Sequence, residues 1–522
     1  VCPETHGCVC EWNGTSLTVW LSTQAVHGMR DALAGALSMP AANVRVIAEH
    51  VGGGFGSKLV PGVEATACAR LARAANRPVK LVLDRKEEHL ATGNRASAFA
   101  QVRAGITADG MLTTFEAETW GTGGAGGPAD FPLPYIYVFP HRRRTHTDVF
   151  INAGPQRPMR GADHPQGCFI TEVVMDELAD TIRMDPLALR MRNLPPPGPA
   201  AMWHRYFPMG AERIGWSERH PTGDPAPGPI KRGLGCAAHR WRGAGQGARA
   251  RCEIFPDGTV LVRCGTQDIG TGTHVLMAVV AAETLGLSPE SIRVEIGDTQ
   301  WPVSGPSMAS STAASVSSAV RVVTTLARDQ LIDRIAPAAK GVAAAQALPW
   351  REACKLLGTQ AVTAEAQGER SLSGAGSSGV QFADVEVDIE TGITHVRRIV
   401  CVQDCGLIVN LESAETQCRG GIIAGLNYAL FEERILDRNT GHMVNPNMEF
   451  YMTAGQSDLP AIDVMLIDQP ARGVIGVGDP PTIATAAAIA NAVRNAAGVP
   501  VRSLPITPDK LLTELERAGG TN

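Results

Sequence analysis

With 522 residues, 44% of them hydrophobic and 19% charged, the chain can bury several cores, enough for three or four units at roughly 150 residues each. A formal charge of −5 with no Lys/Arg-rich run excludes a nucleic-acid surface, which needs clustered positive charge against phosphates. No run approaches the roughly eighteen apolar residues of a membrane span, and the most apolar helical stretch, 421–431, is interrupted by Asn427.

The chain opens on Val1-Cys2-Pro3-Glu4-Thr5-His6, without the basic and apolar regions of a signal peptide. A cytoplasmic location is expected, or a periplasmic one if an upstream segment carries an export signal. β-branched runs predict strands at 16–20 and 44–48, and helical spacing predicts helices over 62–75 and 168–182. Pro-rich stretches at 194–199 and 221–229 frame a connector, which places a domain boundary near residue 230. Beyond it, 251–255 and 259–263 flank the Asp257-Gly258 turn as a hairpin, and 274–285 predicts an Ala-rich helix. The Ala-, Gly- and Ser-rich stretch 341–379 reads as a surface insertion, with strands resuming at Val380. Helices over 482–495 and 508–516 close the chain. Together these make an α+β fold with domains at 1–193 and 231–522 and the connector at 194–230.

Twelve cysteines are scattered through a chain that has ample core, so a reducing compartment is the default. The closest groupings, Cys2, Cys8, Cys10 and Cys401, Cys405, match no iron–sulfur spacing and read as inert buried thiols.

Four loops of glycine or small residues each precede or open a helix, where free backbone N–H groups and the helix dipole favour anions. The first, Gly52-Gly53-Gly54-Phe55-Gly56-Ser57-Lys58, lacks both common nucleotide-binding spacings. The second, Gly265-Thr266-Gln267-Asp268-Ile269-Gly270-Thr271-Gly272, offers amide and hydroxyl partners. The third is Ser310-Ser311-Thr312-Ala313-Ala314-Ser315. The fourth, Gly476-Val477-Gly478-Asp479-Pro480-Pro481, presents one carboxylate at a rigid turn, either for chemistry or as a helix N-cap.

These loops, together with 160–167, the helical run 172–179 and Met184-Asp185-Pro186, occur in the order found in the molybdenum hydroxylases, the family of xanthine and aldehyde oxidases. The resemblance covers nearly the whole chain. It implies that a molybdopterin with its molybdenum, in the cytosine dinucleotide form, lies between two large mixed α/β domains. By resemblance Gly53, Gly54, Phe55 and Gly56 lie beside the metal's oxo group, with core packing the lesser reading of Phe55. Arg160 and Gly161 match the loop that wraps the metal. Gln267, Asp268, Gly270, Thr271 and Gly272, with Thr312, Ala313, Ala314 and Ser315, match the pterin and phosphate contacts, and Gly478 flanks the base. The molybdenum is held by the pterin dithiolene and by no protein side chain.

The implied reaction is a base-assisted hydroxylation: a carboxylate takes a proton, a water-derived oxygen attacks an electron-poor carbon, and electrons leave singly. That carboxylate is Asp479, where the family carries Glu; one methylene shorter, it retracts by roughly 1.5 Å. Purine-oxidising members carry Glu after the loop lysine and Phe two residues after the loop arginine. Leu59 and Ala162 stand at those substrate-pocket positions, which disfavours a purine and leaves an aldehyde or N-heteroaromatic compound. Copper-containing carbon monoxide dehydrogenases place Cys where Gly161 stands.

Implied partners are a small [2Fe–2S] subunit, an FAD or haem-bearing cytochrome subunit, and a polypeptide carrying an N-terminal domain upstream of Val1. Other readings are a reductive relative that removes a phenolic hydroxyl from an aromatic thioester, and a low-turnover cofactor-bearing scaffold.

Overall fold

The computed structural model describes residues 2–198 and 201–519. β1 (Gly7–Asn13) and β2 (Ser16–Leu21) form a hairpin whose alternating residues, Cys8 and Cys10 then Leu17, Val19 and Leu21, face one core. α1 (Val26–Ala36) leads to β3 (Val44–Ile47), parallel to β2, and α2 (Val63–Ala75) leads to β4 (Val79–Val82), antiparallel to β1. The sheet order is β3-β2-β1-β4. The strands expected at 16–20 and 44–48 and the helix expected over 62–75 are β2, β3 and α2.

α3 (Arg85–Ala91) starts with a capping box between Asp84 and Glu87. A second sheet follows, β5 (Ser97–Ile106), β6 (Leu112–Thr122) and β7 (His141–Asp148), with α4 (His164–Thr181) packed against β5. α4 carries Glu172 and Asp176 into the interior, where Arg190 of α5 (Pro186–Asn193) meets them at 2.7 and 2.6 Å with all three side chains buried. Tyr137 Oη–H (3.0 Å) and Ala238 N–H (3.0 Å) donate to the other Glu172 oxygen, so both oxygens of that buried carboxylate are partnered. Met184-Asp185-Pro186 has a local purpose as well: Asp185 caps α5, accepting from Ala188 N–H at 2.9 Å, ahead of Pro186 at the first helical position.

The expected boundary falls at the start of β8 (Ile230–Ala244). β9 (Arg249–Ile254) and β10 (Val260–Cys264) are the expected hairpin; α7 (Thr273–Leu285) then leads to β11 (Ile292–Ile296), and α8 (Thr312–Ile335) packs on β9. The stretch 341–379 is not a surface insertion. α9 (Val342–Gln346), α10 (Trp350–Lys355) and β12 (Val362–Gln367) belong to this unit, β12 completing the order β11-β10-β9-β12, with Ala345, Cys354, Val362 and Ala364 buried. The small residues that make the stretch look featureless in sequence are those that let it pack closely on α8.

β13 (Ala375–Asp388) begins five residues before the expected Val380, and with β14 (Thr394–Asp404) and β15 (Ala461–Ile467) forms the sheet β15-β14-β13-β8. α11 (Leu411–Leu430) links β14 to the segment before β15. α12 (Thr485–Ala497) starts three residues later than expected because Pro480–Thr482 form a separate 3-10 turn, and α13 (Pro508–Gly519) ends the described chain. α12 presses onto β8: a Cβ on Gly233 or Gly235 would lie 2.2 Å from Ala492 backbone atoms. The connector holds a helix the sequence reading omits, α6 (Trp203–Ile214), which buries Trp203, Tyr206 and Phe207 and packs on β13 and β14; Pro199 lies outside the described residues. One core draws on β6, α4 and α6 as well as β8, β13, β14 and α12, so residues on both sides of 230 share it. Among the described residues no helix is long and apolar enough to cross a membrane.

Candidate functional site

A cavity of about 550 Å³ is bounded by residues from all four loops and by the starts of three helices: Thr273 of α7, Thr312 and Ala313 of α8, and Asn410 and Ser413 at the head of α11. Among the described residues lining it, Arg160 and Asp479 are the two charged ones. The remaining wall is backbone, hydroxyl and apolar surface, so any charge developing inside is met by these two groups and by helix N-termini.

Asp479 lines this cavity, with its carboxylate fixed from outside its own loop. Gly161 N–H donates to one oxygen at 2.9 Å, and Ser310 Oγ–H donates to the other at 2.8 Å while accepting from Asp479 N–H at 2.7 Å. The side chain makes no helix-capping bond, although Asp479 stands directly before the Pro480–Thr482 turn. Beside it Arg160 donates to the carbonyls of Gly478 and, at 2.8 Å, Gln417. Burial pulls the Arg160 guanidinium below its usual value, and Asp479 opposes that shift. Arg95 braces the same loop through the carbonyls of Arg160, at 2.6 Å, and Ala162.

The second loop behaves differently. Asp268 Oδ1 accepts from the amides of Gly270, Thr271 and Gly272 at 3.0, 3.0 and 3.2 Å, and Oδ2 accepts from His274 N–H at 3.3 Å. The carboxylate therefore occupies amides that the sequence reading offers to a phosphate. Burial works to raise its pKa, but hydrogen bonds from His274 and Gly270 outweigh it and hold the group at about 2. α8 has no such cap: Ser311 makes no side-chain capping bond, and its hydroxyl donates to Met308 O at 2.7 Å. Its first-turn residues Thr312 and Ala313 face the cavity, where their backbone N–H groups can meet an anion.

Of nine non-glycine residues with positive φ among those described, four line this cavity: Phe55 (+51°), Ala162 (+46°), Ala309 (+51°) and Ser310 (+58°). Such conformations cost of order 1 kcal/mol each and persist where surrounding structure fixes them. The fixing contacts are visible. Trp241 Nε1–H holds Ala309 O at 3.0 Å, and Arg160 N–H donates to Phe55 O at 2.9 Å. Gly161, with φ +85°, could not carry a side chain, because its Cβ would fall 2.8 Å from Thr482 Cγ2.

The cavity thus brings together Gly54, Phe55, Gly56, Leu59, Arg160, Ala162, Gly270, Thr271, Gly272, Thr312, Ala313, Gly478 and Asp479. Six other expected site residues lie behind its wall. Gly53 backs the Phe55 ring, and Gly161 orients Asp479. Gln267 turns its amide onto Gly265 O at 2.9 Å, Asp268 caps α7, Ala314 is buried, and Ser315 accepts from Gln246 N–H at 2.8 Å.

Sequence reasoning missed Gln24, whose Oε1 accepts from Gly56 N–H (2.8 Å) and Lys58 N–H (3.3 Å) while its Nε2 donates to Ser307 O (2.8 Å). No local pattern marks it, since its partners stand 32 and 283 residues away. It also missed the wall formed by Cys405, Ile408 and Ser413, where Asn410 as a helix N-cap was the available signal. Lys58 and His6 are structural. The buried Lys58 ammonium donates to Glu4 and Ser22, and His6 Nδ1 lies 3.0 Å from Glu88.

A cavity of this volume, with loops whose backbone is exposed to it and an uncapped helix start, fits a pterin-sized ligand that carries phosphate. Two family models described as molybdopterin cofactor-binding domain match residues 1–194 and 209–460. The aldehyde oxidoreductase molybdenum-binding subunit PaoC of Escherichia coli (strain K12) is 31% identical over 549 residues, covering 98% of this chain and 74% of that protein. The xanthine dehydrogenase molybdenum-binding subunit of Escherichia coli O157:H7 is 30% identical, covering 96% and 73%. Among solved structures, quinoline 2-oxidoreductase from Pseudomonas putida 86 superposes with a TM-score of 0.85 at 22% identity, covering 99% of this chain and 74% of that one.

Proposed function

This chain belongs to the molybdenum hydroxylase family as a molybdopterin-binding oxidoreductase, and from that premise we propose that it oxidises an aldehyde or N-heteroaromatic compound with oxygen drawn from water. The observation that carries the proposal is Asp479, the one carboxylate among the described residues lining the cavity, held by Gly161 N–H and Ser310 Oγ–H. When bound, the molybdenum cofactor supplies the two-electron oxidation and the oxygen transfer. The amides at Thr312 and Ala313, with Ser413 and the Gly54 and Phe55 backbone, would hold it. Family precedent supports the cytosine dinucleotide form.

Asp479 accepts the proton released as the oxygen nucleophile forms, and its two hydrogen bonds fix the orientation of the carboxylate beforehand. Arg160 stands next to it as the one cation of the lining, placed to meet negative charge that develops on substrate. Leu59, Ala162 and Trp241 leave the wall apolar, which favours a neutral, planar or small substrate. Two of the relatives carry names of this class, an aldehyde oxidoreductase and the nicotine 6-hydroxylase large subunit of Paenarthrobacter nicotinovorans, 26% identical, while the xanthine dehydrogenase subunit names a purine. Electrons leave to a small [2Fe–2S] subunit and then to an FAD or cytochrome subunit.

The test is to isolate the protein with its native partners, measure molybdenum and pterin, and screen aldehydes, N-heteroaromatics and purines in water labelled with heavy oxygen. One molybdenum per chain and label in an oxidised aldehyde or heteroaromatic product supports the reading. Turnover of purines alone would overturn the substrate class.

A further inference from the structure

β1 and α2 bring two neighbouring thiols together with a third that lies 60 residues from the first of them. Cys8 and Cys10 alternate on β1 and so share its inward face, and Cys68 lies on the buried side of α2, which packs across that face. The three sulfurs lie within 4.8 Å of one another, and all three residues are buried. No disulfide joins them. None of them lines the cofactor cavity. Leu17, Val19, Val46, Ala65, Ala69 and Ala72 form the surrounding core.

We propose that Cys8, Cys10 and Cys68 form a three-thiol site for a soft, low-coordinate metal ion, with Cu(I) as its ligand. Three sulfurs around a metal at about 2.3 Å would stand about 4.0 Å apart, so the site closes by small side-chain rotations alone. Among the described residues no His, Asp or Glu joins the group as a fourth ligand, and the core around it is apolar. That count disfavours Zn(II), which takes four ligands at structural sites, and favours a thiophilic ion content with three. Binding exchanges protons for metal with no change of oxidation state. Cu(I) forms bonds to two thiolates and one thiol, two protons leave to solvent, and the buried centre carries one net negative charge. Because the sulfurs are buried, loading occurs through local opening of α2 over β1 or during folding.

The experiment is an anaerobic titration of the reduced holoenzyme with Cu(I) supplied from a chromophoric chelator, comparing wild type with Cys68→Ala and, as a second variant, Cys10→Ala. The expected result is one Cu(I) per wild-type chain, at least 100-fold weaker uptake in both variants, and a thermal midpoint raised by Cu(I) in wild type alone. X-ray absorption of the loaded wild type should show sulfur as the only ligand class, three atoms per copper. Equal uptake by wild type and a folded variant, no uptake by wild type loaded during refolding, or nitrogen and oxygen ligands at the copper would each overturn the assignment. Oxidation activity is expected to be unchanged in the variants and serves as the check that they fold.

Discussion

Asp268 and Asp479 each sit in a glycine-containing loop ahead of a helix, and both look in sequence like site carboxylates, yet the fold gives them opposite tasks. Asp268 accepts four amides from the six residues that follow it. The Asp479 carboxylate accepts nothing from the turn it precedes, and is held by Gly161 and Ser310 from remote parts of the chain. A carboxylate satisfied by its own loop is a cap, whereas one satisfied across the fold is positioned for something else. The same contrast separates the two helix starts: α7 is closed by its own aspartate, while α8 is left open toward the cavity.

The comparison breaks most sharply at Asp479. Asp479→Asn is expected to lower kcat by roughly 100- to 10,000-fold while molybdenum and pterin content stay at wild-type levels. A comparable loss from Asp268→Asn at unchanged cofactor content would show that the two roles are misassigned. Ser310→Ala keeps the backbone at φ +58° but removes the hydroxyl from Asp479. A fall of about tenfold in kcat/KM at unchanged molybdenum and pterin content is expected, because the carboxylate loses the donor that orients one of its oxygens. A purely structural role for Ser310 would lower the amount of folded enzyme and leave kcat/KM per cofactor-loaded chain unchanged.

Asp268→Ala is expected to cost about 1 to 2 kcal/mol of stability in denaturant unfolding at neutral pH, as loss of a helix cap does. Its folded pKa, about 2, is depressed. The cap's contribution is therefore complete above the unfolded carboxyl value near 4 and disappears as pH falls through about 2. Wild type and Asp268→Ala should converge in stability across that window, and parallel curves would sink the assignment.

Much of the fold was legible in the sequence because its signals are local. β2, β3, α2, the β9–β10 hairpin and α7 each follow from period and turn residues. α6 was not, because a proline within it and prolines before it mask a helix that packing stabilises. Nor was β12, since an edge strand rich in Ala and polar residues becomes a strand through pairing with β9. At the site, Asp479, Arg160 and the Thr312 loop were legible because each sits in a recognisable run of neighbours. Gln24 and Ser310 were not singled out, as their importance lies entirely in partners on other segments.

The sequence by itself determined the family, the set of loops and the one acid exposed at a proline turn, because residue types in order carry that information. The tertiary structure decided which carboxylate caps a helix and which faces a cavity, and it decided that Cys68 meets Cys8 and Cys10 in one core. Hydrogen-bond partners and burial are properties of where the chain returns in space, and no local pattern holds them.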